Sequence, residues 1–345
     1  MIQPPGFELS TNAQSVYKLH NALYGLKQAP RAWYSTFSCF LLSQGFKNSK
    51  CDSSLFIKKT GFIFLALLVY VDDILVTGNA AHHIQDLVTQ MHQAFSMKEL
   101  RSISYFLGIS VATSSSTTVL SQKKYAQDIL TKAGMLDCKA CSSPISAKPG
   151  LPPNSNLPFD NPSVYRSIVG ALQYLTITRP DLSFAVNQLC QHMHNPTVGH
   201  YVGVKRLLRF IKGTISHGLT YTPSSFDLHA YSDSNCAGDA IDRKSTSSYC
   251  VFLGSNLISW SSKKQAIVSR SSTEAKYRSL AHTAAELAWI GMLLQDFCIV
   301  PPTIPLLYCD NVSAIALVSN PVFHSKSKHI EVDCHFVRDQ LLANA

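Results

Sequence analysis

The chain has 345 residues, 46% of them hydrophobic and only 15% charged, enough apolar material for two or three compact units, which excludes one small domain. Thirty Lys and Arg against 21 Asp and Glu leave a net charge of +9 and a pI near 9.0, a balance suited to a polyanionic partner, nucleic acid first. Its ten cysteines follow no paired framework and the N-terminus carries no basic, apolar, small-residue pattern, which argues against a secreted disulfide scaffold and for reduced, intracellular thiols.

In chain order, residues 32–42 read as a helix, because Trp33, Phe37, Phe40 and Leu41 recur at helical spacing behind Pro30, a residue suited to a first turn. A buried hairpin is predicted next, with strands at 62–71 and 74–77, Asp72 and Asp73 at the turn and Gly78-Asn79 as the exit. The apolar run of about ten residues before the aspartates is half of what a membrane-spanning helix requires, so no membrane is expected. Residues 82–95 return to helical spacing through Ile84, Leu87, Val88, Met91 and Phe95. A strand pair follows at 105–111 and 118–120. Cys138 and Cys141 form a lone C-x-x-C with no second pair at zinc-site distance, and read as buried thiols.

Between residues 141 and 162 the composition turns to Pro, Ser, Asn and Gly, the signature of a linker. Residues 164–214 are helical in pattern. One stretch bunches Lys205, Arg206, Arg209 and Lys212 around Val204, Leu207, Leu208 and Ile211, a basic face that either follows phosphates or is simply solvated. From residue 228 strands are predicted at 228–232, 249–253 and 256–261, then a long helix at 274–297, a strand at 305–309 and a short helix at 332–342. Three strands, helix, strand is the layout of a mixed-sheet α/β unit. The long helix carries Tyr277, Leu280, Ala281, Ala284, Leu287, Ala288, Gly291 and Leu294 on one stripe, which must face that sheet. Trp289 is expected in the core, and His82, His83, His192 and His194 read as exposed histidines.

Two groups of acids could carry chemistry. Asp72 and Asp73 end an apolar strand with nothing local to neutralise them. Paired carboxylates of this kind hold hard divalent ions, and two such ions can clamp the oxygens of an in-line phosphoryl transfer. Asp-Asp is also an ordinary turn pair. Farther on, Asp233, Glu274 and Asp310 fall at element ends that a sheet could bring together. Each has a plainer reading, Glu274 in a capping box with Ser271 and Asp310 as a cap for a helix starting near Asn311.

The surrounding residues resemble a known family. Gln3-Pro-Pro-Gly-Phe7, Tyr17-Lys-Leu, Leu23-Tyr-Gly-Leu-Lys-Gln-Ala-Pro-Arg-Ala-Trp-Tyr34, Tyr70-Val-Asp-Asp-Ile-Leu75 and Tyr105-Phe-Leu-Gly-Ile109 stand in the order of the reverse transcriptase of Copia-type LTR retrotransposon Pol polyproteins. Ser232-Asp233, Arg243-Lys-Ser-Thr246, Ile258-Ser-Trp-Ser-Ser-Lys-Lys-Gln265, Ser269-Arg-Ser-Ser-Thr-Glu-Ala275, Cys309-Asp-Asn311 and Lys328-His-Ile-Glu331 resemble the RNase H domain that follows it. The resemblance implies an α/β (α+β) chain. It would comprise a partial palm over 1–145, a linker and helical thumb or connection over 146–226, and an RNase H-like mixed-sheet domain over 227–345 that lacks its last elements.

It further implies that Asp72 and Asp73 belong to a polymerase Mg2+ site, with Gln28 near the incoming nucleotide and Phe106, Leu107 and Gly108 near the primer strand. Asp233, Glu274 and Asp310 would coordinate two Mg2+ ions against the RNA of an RNA–DNA hybrid. The implied partners are that hybrid, an RNA template, a DNA primer and other Pol chains, in the cytoplasm within a virus-like particle or in the nucleus. In the family a further catalytic aspartate precedes the Gln-Pro-Pro-Gly-Phe element and a fourth RNase H carboxylate follows the last helix. Neither stands in this sequence, so little autonomous polymerase activity and doubtful cleavage are expected. A non-catalytic nucleic-acid-binding remnant, or a structural subunit beside a complete copy, is the competing reading.

Overall fold

A computed structural model of the chain describes residues 16, 23, 25–100, 102–146, 152, 154–239, 241–319 and 331–343. The Gln3–Phe7 and Tyr17–Leu19 motifs and Lys328–Ile330 lie outside the described residues. The chain divides into two compact units, Met1–Glu99 and Leu100–Ala345.

In the first unit, helix α1 (Ala29–Ser43) opens with Pro30 in its first turn and buries Phe37 and Leu41. Four strands follow, β1 (Lys47–Asn48), β2 (Leu55–Thr60), β3 (Ile63–Tyr70) and β4 (Asp73–Gly78), paired in that order, each antiparallel to the next. Leu65, Leu67 and Val69 alternate along β3 and pack with Phe37, Leu41, Phe56 and the buried face of α2 (Ala81–Ala94), Leu87 and Met91. Period-two alternation is what puts those three side chains on one face. The hairpin was expected to begin at Phe62. Instead Phe62 is 99% exposed, because Gly61 adopts φ +58 and turns the chain from β2 into β3 just ahead of it. Strands β1 and β2 were not predicted. Beyond β4, Asn79 closes the hairpin by accepting from the Phe64 N–H and donating to the Phe62 carbonyl.

The second unit begins with β5 (Tyr105–Phe106), β6 (Ile109–Ser114) and β7 (Thr117–Ser121), followed by α3 (Lys123–Lys132), α4 (Pro162–Leu175), a 3-10 turn at Pro180–Leu182, α5 (Ser183–Cys190), α6 (Val198–Gly213) and β8 (Leu219–Tyr221). Asn161 caps α4 through the Val164 N–H, the role that residue favours. Strand β8 pairs with β7, closing a four-stranded sheet across the intervening helices. The helices share one core in which Ala126, Ile129 and Leu130 of α3 pack with Tyr165, Ile168 and Leu172 of α4, Val186 of α5 and Val204, Leu207, Leu208 and Ile211 of α6.

After β8 come β9 (Leu228–Asn235), β10 (Thr246–Leu253), β11 (Asn256–Lys264), α7 (Ser272–Asp296), β12 (Leu306–Cys309), α8 (Val312–Ser319) and α9 (Glu331–Ala343). The sheet runs β11-β10-β9-β12, with β12 parallel to β9 and the other pairs antiparallel. This is the mixed sheet expected from three strands, helix, strand, and the α/β (α+β) class holds. Helix α7 lies on it, burying Leu287, Ile290 and Leu294 against Leu228, Ala230 and Val251. Trp289, expected in the core, is 38% exposed, one position off that stripe.

The division at Glu99 differs from the expected boundary at 145. Residues 141–146 lack apolar periodicity, yet they are fastened to α6. The Cys141 N–H donates to the Arg209 carbonyl at 3.3 Å, Arg209 donates to the Lys139 carbonyl at 2.8 Å, and Arg206 donates to Ser143 at 2.7 Å. Side-chain bonds also link the helices to the mixed sheet within the second unit. Trp260 of β11 donates its indole N–H to the Thr176 carbonyl, and Lys264 reaches Gln191. Among the described residues no helix is long and apolar enough to cross a membrane.

Candidate functional site

In the first unit β3 and β4 pair Tyr70 with Asp73, leaving Val71 and Asp72 as the two-residue turn. Such tight hairpins need a positive φ, and Val71 adopts φ +54, a strained conformation for a β-branched residue. The Trp33 indole N–H donates to the Val71 carbonyl at 2.5 Å, and Trp33 is wedged between Phe37 and Phe95 at ring distances of 5.2 and 5.4 Å. Helix α1 thus holds the turn from beneath. Asp72 and Asp73 are exposed, and among the described residues neither is ion-paired. Their oxygens are donors of the type Mg2+ takes. Gln28 is exposed just ahead of α1.

In the second unit Asp233 lies on β9 and Asp310 directly follows β12. Because Cys309 stands opposite Ser232 in the parallel register, the next residue on each strand falls side by side. Those two acids do meet, but around a cation of the chain itself. The Lys276 ammonium of α7 is 3.1 Å from an Asp233 oxygen and forms an ion pair with Asp310. The hydrogen bond to Asp310 raises the Lys276 pKa, and the same bond lowers that of Asp310.

Glu274 does not join them. It is 5% exposed, accepts from Arg278 at 2.9 Å and takes the Arg270 N–H at 2.9 Å. Ser271 caps α7 through the Glu274 N–H. Asp310 is not the cap of α8, since the Ala314 N–H goes to Asn311. Of the expected metal set, Asp233 and Asp310 are thus brought together and Glu274 is directed elsewhere. Asp233 and Asp310 share the single Lys276 ammonium and the third acid is turned to an arginine, an arrangement that does not fit a two-metal centre. Among the described residues no three acidic, His or Cys side chains are grouped to hold a metal ion.

What fixes this geometry is a buried polar hub. The Gln265 amide donates to Ser247 and to the Ala275 carbonyl, both at 2.9 Å, and to Ser234 at 3.3 Å, while its oxygen accepts from Ser269 at 2.8 Å. It locks the first turn of α7 to β9 and β10, as fully satisfied buried networks do. Ser279 adds a bond to the Asp233 carbonyl at 2.6 Å. Gln265 belonged to a recognised motif but had no predicted role, and Lys276 and Trp33 were likewise missed as site residues. Each makes bonds across 10 or more residues, a distance at which spacing alone carries no signal.

Phe106 ends β5, and Leu107 and Gly108 form the tight turn into β6. Leu107 and Gly108 both have positive φ, +47 and +74, and Tyr174 of α4 donates its hydroxyl to the Leu107 carbonyl. A Cβ at Gly108 would press on the Tyr174 ring at 3.3 Å. On α6 the basic face is partly spent, since Arg206 and Arg209 hold residues 139–143, while Lys205 lies over the Tyr201 ring at 5.1 Å. His192, expected to be exposed, instead stacks on His200 with ring centroids 3.6 Å apart. Burial lowers the His200 pKa to about 4, with the His192 charge adding to it.

Residues 1–147 match the family model described as reverse transcriptase (RNA-dependent DNA polymerase). Over its whole length the chain is 48% identical to the retrovirus-related Pol polyprotein from transposon RE2 of Arabidopsis thaliana, of which it covers 24%. The chain thus spans about a quarter of that relative's length. It is 53% identical over 65% of its length to an uncharacterized mitochondrial protein of Arabidopsis thaliana, covering 93% of that protein. Among solved structures it is similar to a foamy viral protease-reverse transcriptase in complex with double-stranded DNA, with a TM-score of 0.47 and 12% identity over 91% of this chain and 47% of that one.

Proposed function

Because the chain belongs to the reverse transcriptase family of Copia-type retrotransposon Pol polyproteins, we propose that it is a segment of an RNA-directed DNA polymerase. In this reading it engages template–primer duplex and RNA–DNA hybrid, with the Val71–Asp72 turn as its polymerase-type site. The observation that carries this is the turn itself, which raises Asp72 and Asp73 into solvent at the end of the β3–β4 hairpin and is held by Trp33. Mg2+ at such a site would neutralise charge developing on the transferring phosphoryl group. Asp72 and Asp73 would supply its oxygen ligands, Gln28 would lie near the nucleotide, and Phe106, Leu107 and Gly108 would approach the primer. The net charge of +9 and the remaining cations of α6, Lys205 and Lys212, support a phosphate-rich partner.

For the second unit a different reading is favoured by a specific observation. Lys276 between Asp233 and Asp310 supports an RNase H-like module that holds hybrid without cutting it.

Fluorescence anisotropy of the purified chain against a labelled RNA–DNA hybrid with a recessed primer tests the proposal. Binding is expected to fall linearly with salt on a log–log plot, with a Mg2+-dependent component removed by Asp72→Asn. Absence of binding at the lowest salt would sink the reading. Primer extension is expected near background, because the turn supplies two carboxylates and the described residues gather no third acid beside them. Robust extension abolished by Asp72→Asn would overturn that part.

A further inference from the structure

We propose that the Lys276 ammonium is the resident cation of the β9–β12 carboxylate pair, and that it closes this site to divalent metal. The inference stands on the geometry of the second unit and holds whether or not the chain binds a primer. Lys276 reaches Asp233 at 3.1 Å and pairs with Asp310, so one ammonium bridges both carboxylates. Mg2+ demands oxygens at about 2.0–2.1 Å in near-octahedral array. A divalent ion drawn to these two carboxylates must displace the ammonium or share them with a like charge.

Displacement is opposed by how the lysine is held. Its side chain is only 18% exposed, whereas those of Asp233 and Asp310 are 66% and 68% exposed, so the stem is packed and the acids come to it. The turn of α7 that carries it is fixed on one side by Gln265 to the Ala275 carbonyl and on the other by Ser279 to the Asp233 carbonyl. The raised Lys276 pKa and the lowered Asp310 pKa agree in direction, as expected when each favours the charged form of the other. The remaining acid is matched as well, because Glu274 is paired with Arg278. The pair itself thus sets two carboxylates against one ammonium and carries one net negative charge, while Glu274 is balanced separately by Arg278.

Manganese(II) is a suitable probe, because free and bound Mn2+ separate by electron paramagnetic resonance and Mg2+ competes for the same oxygens. The full chain carrying Asp72→Asn and Asp73→Asn serves as the parent, so that the first unit's turn contributes nothing. The parent is expected to show no Mn2+ site dependent on Asp233. Lys276→Met, and Lys276→Gln as a second variant should the first fold poorly, should gain a site binding at least tenfold tighter than the parent. Adding Asp233→Asn should abolish that gain. Equal Mn2+ affinity in the parent and both Lys276 variants, lost with Asp233→Asn, would show that metal displaces the lysine and would overturn the proposal. Failure of both folded Lys276 variants to gain a site would overturn it too, since something other than the ammonium would then exclude the metal. Neither result bears on the hybrid-binding assay, so the two readings fail separately.

Discussion

The indole N–H of Trp33 does for the Val71 turn what a glycine would otherwise do by conformation alone. A valine held at φ +54 costs roughly 1–2 kcal/mol relative to an ordinary backbone, and the bond to its carbonyl offsets part of that. Trp33→Phe keeps a ring against Phe37 and Phe95 but removes the donor. It is expected to lower the stability of the first unit by about 1 kcal/mol, read as a shift of its urea midpoint. An unchanged midpoint would mean that strand pairing alone holds the turn. Trp33 was legible in the sequence as a helix-face aromatic, but its bond to the turn was not, because the two residues lie 38 positions apart.

At the level of elements, α6 is capped by a histidine-containing box. Thr197 accepts from the His200 N–H, and His200 Nδ1 accepts from the Thr197 N–H at 3.1 Å. That second bond requires Nδ1 to be unprotonated. Burial and the stacked His192 bring the His200 pKa down to about 4 from an ordinary 6.5. The unfolded chain therefore takes up the proton first, and stability is lost as pH falls from about 6.5 toward 4. Gln fills the same position in the common capping box without a titrating group. His200→Gln is expected to match the wild type at pH 7.5 and to flatten the fall in melting temperature between pH 6.5 and 4.5. A parallel fall in both proteins would remove His200 as its cause. The neighbouring Asp239 titrates in a lower window, its pKa brought down to about 2, first by the Lys264 hydrogen bond.

For the whole molecule the testable statement is where the chain divides. Leu100 and Ile103 are exposed, the former at 73%, while residues 139–143, within the stretch that leads into the expected linker, are tied to α6. Apart from cleavage at the exposed Phe62 turn, brief chymotrypsin treatment should cut first near Leu100, leaving residues 101–345 as one fragment by mass spectrometry. A first cut after Leu136 would contradict the division. The expected boundary near 145 rests on composition, which reports only a lack of apolar periodicity. Whether an aperiodic segment swings free or is hydrogen-bonded to a distant helix is decided by that helix.

Local pattern sufficed for much of this protein. Apolar spacing marked α1, α2, α7 and the β3–β4 hairpin, because those elements bury one face and the burial imposes a period on the residues themselves. Motif order sufficed for the family, and strand-helix-strand succession for the mixed sheet. Tertiary structure alone decided which charges meet. The pairing of Asp233 with Asp310 follows from a parallel register between strands 70 residues apart, and the arrival of Lys276 between them follows from how α7 is pinned across that sheet. Electrostatic partnership depends on separation in space, and separation along the chain says nothing about it until the sheet has formed.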